Sequence, residues 1–270
     1  MAKLMEIVEE LNNRGINAEI KTVKKNNVDK HGIFIPVAEH GGMIMYEDII
    51  EGDTLEEQVE CIIKSASSPE SQEFKTWDLG AITTKEYILD NVFGAVCNRN
   101  WNQEFLQDKF HGQVFDTDLE WYARVSMPGN DGSFSLDPAL MAKLGISEGE
   151  VEDAIKAKSA YKLITMEEAL GMPGMPGMGI YVATNNNGYH GASSINDLEF
   201  LRECMGKMGC DKVVIIPSSI HEILLVRESE RDTAESFRKM ICEVNDGFVE
   251  ESERLSDHPY IFDGKTLMCA

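Results

Sequence analysis

The stretch Pro217-Ser218-Ser219-Ile220-His221-Glu222 gathers side chains that could do chemistry. A serine hydroxyl could act as nucleophile, the His221 imidazole as its base and the Glu222 carboxylate as the group that orients the ring. The spacing argues against that use. His221 stands two or three positions from each serine, at the start of an apolar run, so the ring and the hydroxyls diverge unless the turn is special. Nucleophilic catalysis also needs an oxyanion hole, usually assembled from distant segments, and no GxSxG turn occurs. At a corner between strands, Ser218, Ser219 and His221 are expected to satisfy backbone groups instead.

A second polar string, Thr184-Asn185-Asn186-Asn187-Gly188-Tyr189-His190-Gly191, closes a short apolar run. Loops in such places bind ligands. His190 is a candidate acid or base there, with His221 and Ser219 as the other catalytic candidates. An enzyme built on this loop and His221 requires a pocket where polar side chains converge and at least one pKa is shifted. The third feature is Gly171-Met172-Pro173-Gly174-Met175-Pro176-Gly177-Met178-Gly179. Glycine and proline at this density cannot hold a helix or a central strand, so a loop is expected. Its methionines, Met172, Met175 and Met178, are the candidate interaction residues, because thioethers adapt to varied surfaces.

Other chemistry lacks a signature. No Walker A loop, GxGxxG, HExxH, EF-hand or kinase motif is present, so no cofactor is expected. The cysteines at 61, 97, 204, 210, 242 and 269 are scattered, with no CxxC and no Cys/His cluster at zinc spacing, so no metal site is expected either. Carboxylates are too abundant for any two to be paired as catalysts by spacing alone.

These residues must be positioned by the elements around them. In the C-terminal region, Gly179–Thr184 reads as a strand. Asn196 or Asp197 can cap a helix carrying Leu198, Leu201, Met205 and Met208, which Gly209 ends. Val213–Ile216 suits a strand covered on both faces, and Ile223–Val226 can pair with it antiparallel. A helix from Thr233 to about Asn245, with Phe237, Met240, Ile241 and Val244 on one face, and a strand at Tyr260–Phe262 complete a β-α-β-β-α-β unit. Its helices are expected on one side of a mainly antiparallel sheet.

The N-terminal region reads as a helix from 3 to 14, a three-strand meander, and a helix opened by Thr54 and Glu57 in a capping box. The middle region is mixed α/β. Its periodicity predicts a helix over Thr83–Asn98, strands at Val114-Phe115 and Leu119–Met127, a turn at Pro128–Gly132 and helices after Asp137 and Ser147. Trp77, Trp101 and Trp121 fall in apolar-patterned segments and are expected in the core. The fold class is therefore α+β, in three units, 1–68, 77–170 and 178–270, whose packing as one or two domains the sequence leaves open. The polar run Ser65–Gln72 is the first linker candidate.

Composition narrows the function class. The 270 residues are 43% apolar and 27% charged, ordinary values for a globular protein. The longest apolar runs are too short to cross a bilayer, so no membrane association is expected. Acidic residues inside the first apolar pattern mark a helix and not a secretory signal, which makes the cytoplasm the expected compartment. Forty-seven acids against twenty-five bases give a net charge of −22. Such a chain repels free nucleic acid.

Several segments together resemble an uncharacterised family of bacterial proteins, a domain of unknown function common in anaerobic Firmicutes. They are Lys25–Val28 before Gly32, Tyr46–Val59, Asp118-Leu119, Ser135–Ile146, Thr184-Asn185 with Gly191-Ala192, Pro217–Glu222 and Leu255-Ser256-Asp257. The resemblance implies no activity. The missing catalytic motifs, the acidity and the Met-Pro-Gly segment lead to the expectation of a non-enzymatic, acidic binding protein that acts through a protein partner; its sharpest version is an inhibitor that imitates a nucleic acid. The alternatives are the enzyme described above and a structural subunit. Sequence leaves the oligomeric state open.

Overall fold

The structure, a computed structural model, describes residues 2–38, 41–68, 79–128, 132–172, 177, 179–228 and 233–270. Outside the described residues lie Trp77, the end of the Ser65–Gln72 run, the tip of the Pro128–Gly132 turn, and the core of the Met-Pro-Gly segment with Met175 and Met178. The fold is α+β. The chain divides into two compact units, Met1–Thr83 and Thr84–Ala270. Among the described residues no helix is long and apolar enough to cross a membrane.

The first unit follows its sequence pattern. Helix α1 (Ala2–Asn13) buries Leu4, Ile7 and Leu11. Strands β1 (Glu19–Lys24), β2 (Asp29–Ala38) and β3 (Gly41–Tyr46) form an antiparallel meander. Helix α2 (Leu55–Ala66) begins with the expected box: Thr54 Oγ1 accepts from Glu57 N–H and Glu57 Oε2 accepts from Thr54 N–H. Val59 and Ile62 meet the α1 stripe and Ile33 in one core. A short helix, α3 (Leu79–Ile82), lies at the end of the unit.

The second unit carries two sheets. Helix α4 (Lys85–Asn91) leads into β4 (Val92–Asn98). The latter replaces the second half of the helix expected over Thr83–Asn98. Val92, Phe93 and Val96 fit a helical stripe, but Val92 and Val96 are β-branched and Gly94 disfavours a helix. Pairing with β6 (Leu119–Ser126), in register from Val92–Val125 to Asn98–Leu119, decides the conformation. After α5 (Gln103–Leu106) come β5 (His111–Gln113), then β6, then β7 (Ser133–Ser135), all antiparallel.

The strand expected at Val114-Phe115 is a tight turn. Thr117 Oγ1 donates to the Val114 carbonyl and Phe115 has a left-handed backbone, φ 49°. Helices α6 (Pro138–Leu144) and α7 (Glu148–Lys158) start at Asp137 and Ser147, whose side chains cap them.

The second sheet has the order β13-β12-β10-β11-β9-β8. It adds β8 (Tyr161–Thr165) and β13 (Leu267–Cys269), absent from the sequence reading, to β9 (Ile180–Asn185), β10 (Val213–Ile216), β11 (Ile223–Arg227) and β12 (Tyr260–Phe262). A short helix, α8 (Met166–Ala169), follows β8. Helix α9 (Leu198–Met208) is capped by Asp197 and ended by Gly209 in the left-handed region. Helix α10 (Ala234–Phe248) buries Ile241 but leaves Met240, Val244 and Phe248 exposed.

All four residues of β10 are buried. Each such aliphatic contributes about 1.5–3 kcal/mol of transfer free energy. Val96, Val114 and Leu119 pack with Ala183, Ile215 and Tyr260 in a single core. The middle and C-terminal segments are thereby joined.

Candidate functional site

Strand β9 ends at Asn185, and the loop that follows turns at His190 with φ 54°. A 3-10 turn, Gly191–Asn196, then runs buried beneath β4 and β11. Gly191 is required at this corner. A Cβ there would stand 2.2 Å from Thr184 Oγ1 and 2.5 Å from the His221 carbonyl oxygen. The same close approach lets Thr184 Oγ1 donate to the His221 carbonyl at 2.8 Å.

The corner brings His190 and His221 together. Their ring centroids are 5.9 Å apart, and the His190 backbone N–H donates to His221 Nδ1 at 3.3 Å. His221 Nδ1 is therefore the acceptor nitrogen. Its Nε2 lies 3.5 Å from Glu253 Oε1. His190 is buried among Phe93, Tyr122 and Tyr189, with the Tyr189 centroid 4.3 Å away. The third candidate, Ser219, is engaged elsewhere. Its hydroxyl donates to Glu222 Oε1 at 3.1 Å and accepts the His221 N–H at 3.0 Å; Ser218 also donates to Glu222. Of the methionine candidates, Met172 is half exposed.

Beside this corner lies a trough that sequence reasoning missed. Two hollows, of about 560 and 390 Å3, share Gly94, Ile155, Ser159, Tyr161 and Ser193 as lining. Both are open, and they adjoin at these five residues. Gly94 is part of that shared lining, and a Cβ there would press on Ile155 of α7 at 3.3 Å.

Three hydroxyls, of Ser159, Tyr161 and Ser193, belong to the shared lining. Ser159 Oγ donates to the Ile155 carbonyl, and Ser193 Oγ to the His190 carbonyl. With both serine protons so used, Tyr161 Oη, 3.2 Å from Ser193 Oγ, is the donor in that pair. Aromatic side chains stand on both walls, Phe115 and Trp121 in the larger hollow, Phe93 and Tyr189 in the smaller. Lys156 and Arg202 line the larger hollow together with Glu152, Asp197 and Glu199. Asn185 lines the smaller one. Its Oδ1 is buried without a hydrogen-bond partner among the described residues.

A further polar cluster joins the two sheets. Asp118, just before β6, accepts from Asn98 Nδ2 and from Tyr260 Oη, each at 2.7 Å. His258 Nε2 lies 3.2 Å from the same carboxylate, and its Nδ1 lies 3.2 Å from the Pro259 carbonyl oxygen. Both partners only accept, so the surroundings favour the doubly protonated, charged ring. Burial alone would raise the Asp118 pKa, but the hydrogen bonds from His258, Tyr260 and Asn98 and the charge of His258 outweigh it and hold the carboxyl at about 2. The bond to Asp118 raises His258. Burial, then the nearby Asp118, push Tyr260 well up.

A family model described as a family of unknown function, DUF5688, matches residues 1–264. The chain belongs to DUF5688. No curated protein and no solved structure matches it. In this DUF5688 chain five of the segments that carried the resemblance meet at two places. Thr184-Asn185, Gly191-Ala192 and Pro217–Glu222 build the histidine corner. Asp118-Leu119 and Leu255-Ser256-Asp257 build the polar cluster, where Asn245 Nδ2 of α10 donates to the Ser256 carbonyl and to Asp257 Oδ1. Residues 118 and 258 are too far apart in sequence for any spacing rule to join them.

Proposed function

We propose that this DUF5688 chain is an acidic binding protein that takes an extended segment of a partner protein into the trough beside the histidine corner. The observation that carries this reading is the pair of adjoining open hollows that share Tyr161 and Ser193 in their lining. Adjoining open hollows with hydroxyls in their shared lining suit a chain whose own amides need partners, and aromatic walls suit its side chains. Tyr161 Oη offers an acceptor to an incoming N–H. The net charge of −22 favours a basic partner and speeds its approach at low salt.

A photo-crosslinking residue placed at Glu199, on the rim, tests the reading in host lysate, with one at Lys239 on α10 as the control. A single protein captured from Glu199, not from Lys239, and lost at high salt supports it. Equal capture from both positions, or none from Glu199, refutes it.

One observation favours a second reading, an enzyme: His190 and His221 are adjacent, and their neighbours Tyr189 and Asn185 line the trough. Under this reading a substrate occupies the smaller hollow, and a pH titration of the two imidazoles by NMR shifts when it binds. Screening hydrolase and lyase substrates against wild type and His221→Gln decides the matter. Turnover that His221→Gln retains in full counts against a catalytic His221.

A further inference from the structure

We infer that Asp118, His258 and Cys269 form a binding site for a divalent cation of the zinc class. One donor atom from each residue lies within 4.8 Å of the other two. Tetrahedral zinc with bonds of about 2.0–2.3 Å needs its donors roughly 3.3–3.8 Å apart. A contraction of roughly 1 Å at the widest pair reaches that spacing. Cys269 is exposed on the edge strand β13, so its side chain has room to close the gap.

The donor set points to the metal. Thiolate, imidazole and carboxylate are the sulfur, nitrogen and oxygen ligands that zinc takes, whereas magnesium and calcium take oxygen alone. The surrounding groups are those of a metal ligand set. His258 presents Nε2 to Asp118 while Nδ1 donates to the Pro259 carbonyl, as a ligating imidazole does through its second nitrogen. Tyr260 and Asn98 hold the carboxylate from behind. Three protein donors leave the fourth position for water or an exogenous ligand.

Without the cation and with the imidazole charged, His258 carries a proton on each nitrogen, and Cys269 is a thiol whose Sγ lies 3.9 Å from Asp118 Oδ1. Binding removes the Nε2 proton and the thiol proton. Two protons leave for each cation bound, and no electron moves. The inference is independent of the trough, whose lining contains none of the three residues.

Calorimetric titration of the chelator-treated full chain with Zn2+, under a non-thiol reductant, tests it. Expected are one saturable site in the wild type, at least ten-fold weaker binding in Cys269→Ala and His258→Gln, and unchanged binding in Cys61→Ala. Tyr260→Phe, which removes the bond behind Asp118, weakens it by roughly 10–100-fold. Co2+ loading gives a second readout, a thiolate-to-metal absorption band present in the wild type and absent in Cys269→Ala. Cys269 is exposed, so that variant is expected to keep the fold. A wild type with no saturable site, or binding that Cys269→Ala leaves unchanged, overturns the inference and leaves Asp118–His258 as a structural ion pair.

Discussion

Tyr260 donates its hydroxyl to Asp118 Oδ1 across 2.7 Å, tying the first strand pair of the second unit to the central sheet over a separation of 142 residues. His258 shares that carboxylate. The pair therefore makes stability depend on pH in both directions.

In the metal-free protein, the Asp118 carboxyl sits at about 2 against an ordinary 3.8. A depressed acid contributes stability that is complete above its unfolded pKa and is lost as pH falls through the folded one. At about 1.4 kcal/mol per pKa unit this contribution is roughly 2 kcal/mol. His258 is raised above 6.5 by the same contact. Its contribution is complete below 6.5 and is lost as pH rises through the folded value. Urea melts with chelator present, from pH 3 to 9, are expected to show the greatest stability from this pair between pH 4 and 6.5. His258→Gln is expected to remove the alkaline decline; a wild-type curve flat above pH 6.5 contradicts the assignment.

Gly191 is predicted to be intolerant of any side chain. An alanine Cβ would meet Thr184 Oγ1, the His221 carbonyl and the Asn185 nitrogen, all closer than contact distance. Two of these are backbone atoms and cannot rotate away. Gly191→Ala is expected to cost about 2–3 kcal/mol in chemical denaturation. Gly206→Ala, on α9 where a Cβ meets nothing, is expected to add about 0.5–1 kcal/mol. Similar values for the two would show that the corner repacks freely.

Phe115 separates stability from binding. It holds a left-handed backbone, costly for an aromatic residue, while its ring lines the larger hollow. Phe115→Gly is expected to be about 1 kcal/mol more stable than Phe115→Ala, the reverse of the usual order, because glycine adopts that backbone freely. Both variants are expected to lose crosslinking from the trough rim. Thermal melts and the Glu199 crosslink measure the two effects separately.

Tyr161→Phe removes the hydroxyl that links the two hollows. The net cost to folding is expected to be about 0.5–1.5 kcal/mol, the worth of one neutral hydrogen bond. Partner capture at the trough is expected to fall further than stability does. Unchanged capture would place the bound segment elsewhere.

Much of the fold was legible as local signals. Thr54, Asp137, Ser147, Asp197 and Thr233 cap the helices they announce, since a capping side chain acts within three residues of its own position. Gly209 ends α9 for an equally local reason. The four aliphatics of β10 declared a strand covered on both faces, because such a run has no other way to leave water. The α+β class, the antiparallel pairing of β10 with β11 and the acidity were all readable in the same way.

Tertiary structure decided what depends on partners distant in sequence. Val92–Asn98 carries a helical stripe, yet its backbone hydrogen bonds go to β6, and only the presence of that strand makes the choice. Tyr161–Thr165 has no strong pattern of its own and becomes a strand because β9 offers an edge. The candidate sites follow the same rule. His190 and His221 could be named from sequence, but their adjacency depends on Gly191 letting two loops touch. Asp118, His258 and Cys269 share no local motif. They meet because β6, β12 and β13 belong to sheets that bury a common core, and the free energy of that burial is what brings carboxylate, imidazole and thiol to one point.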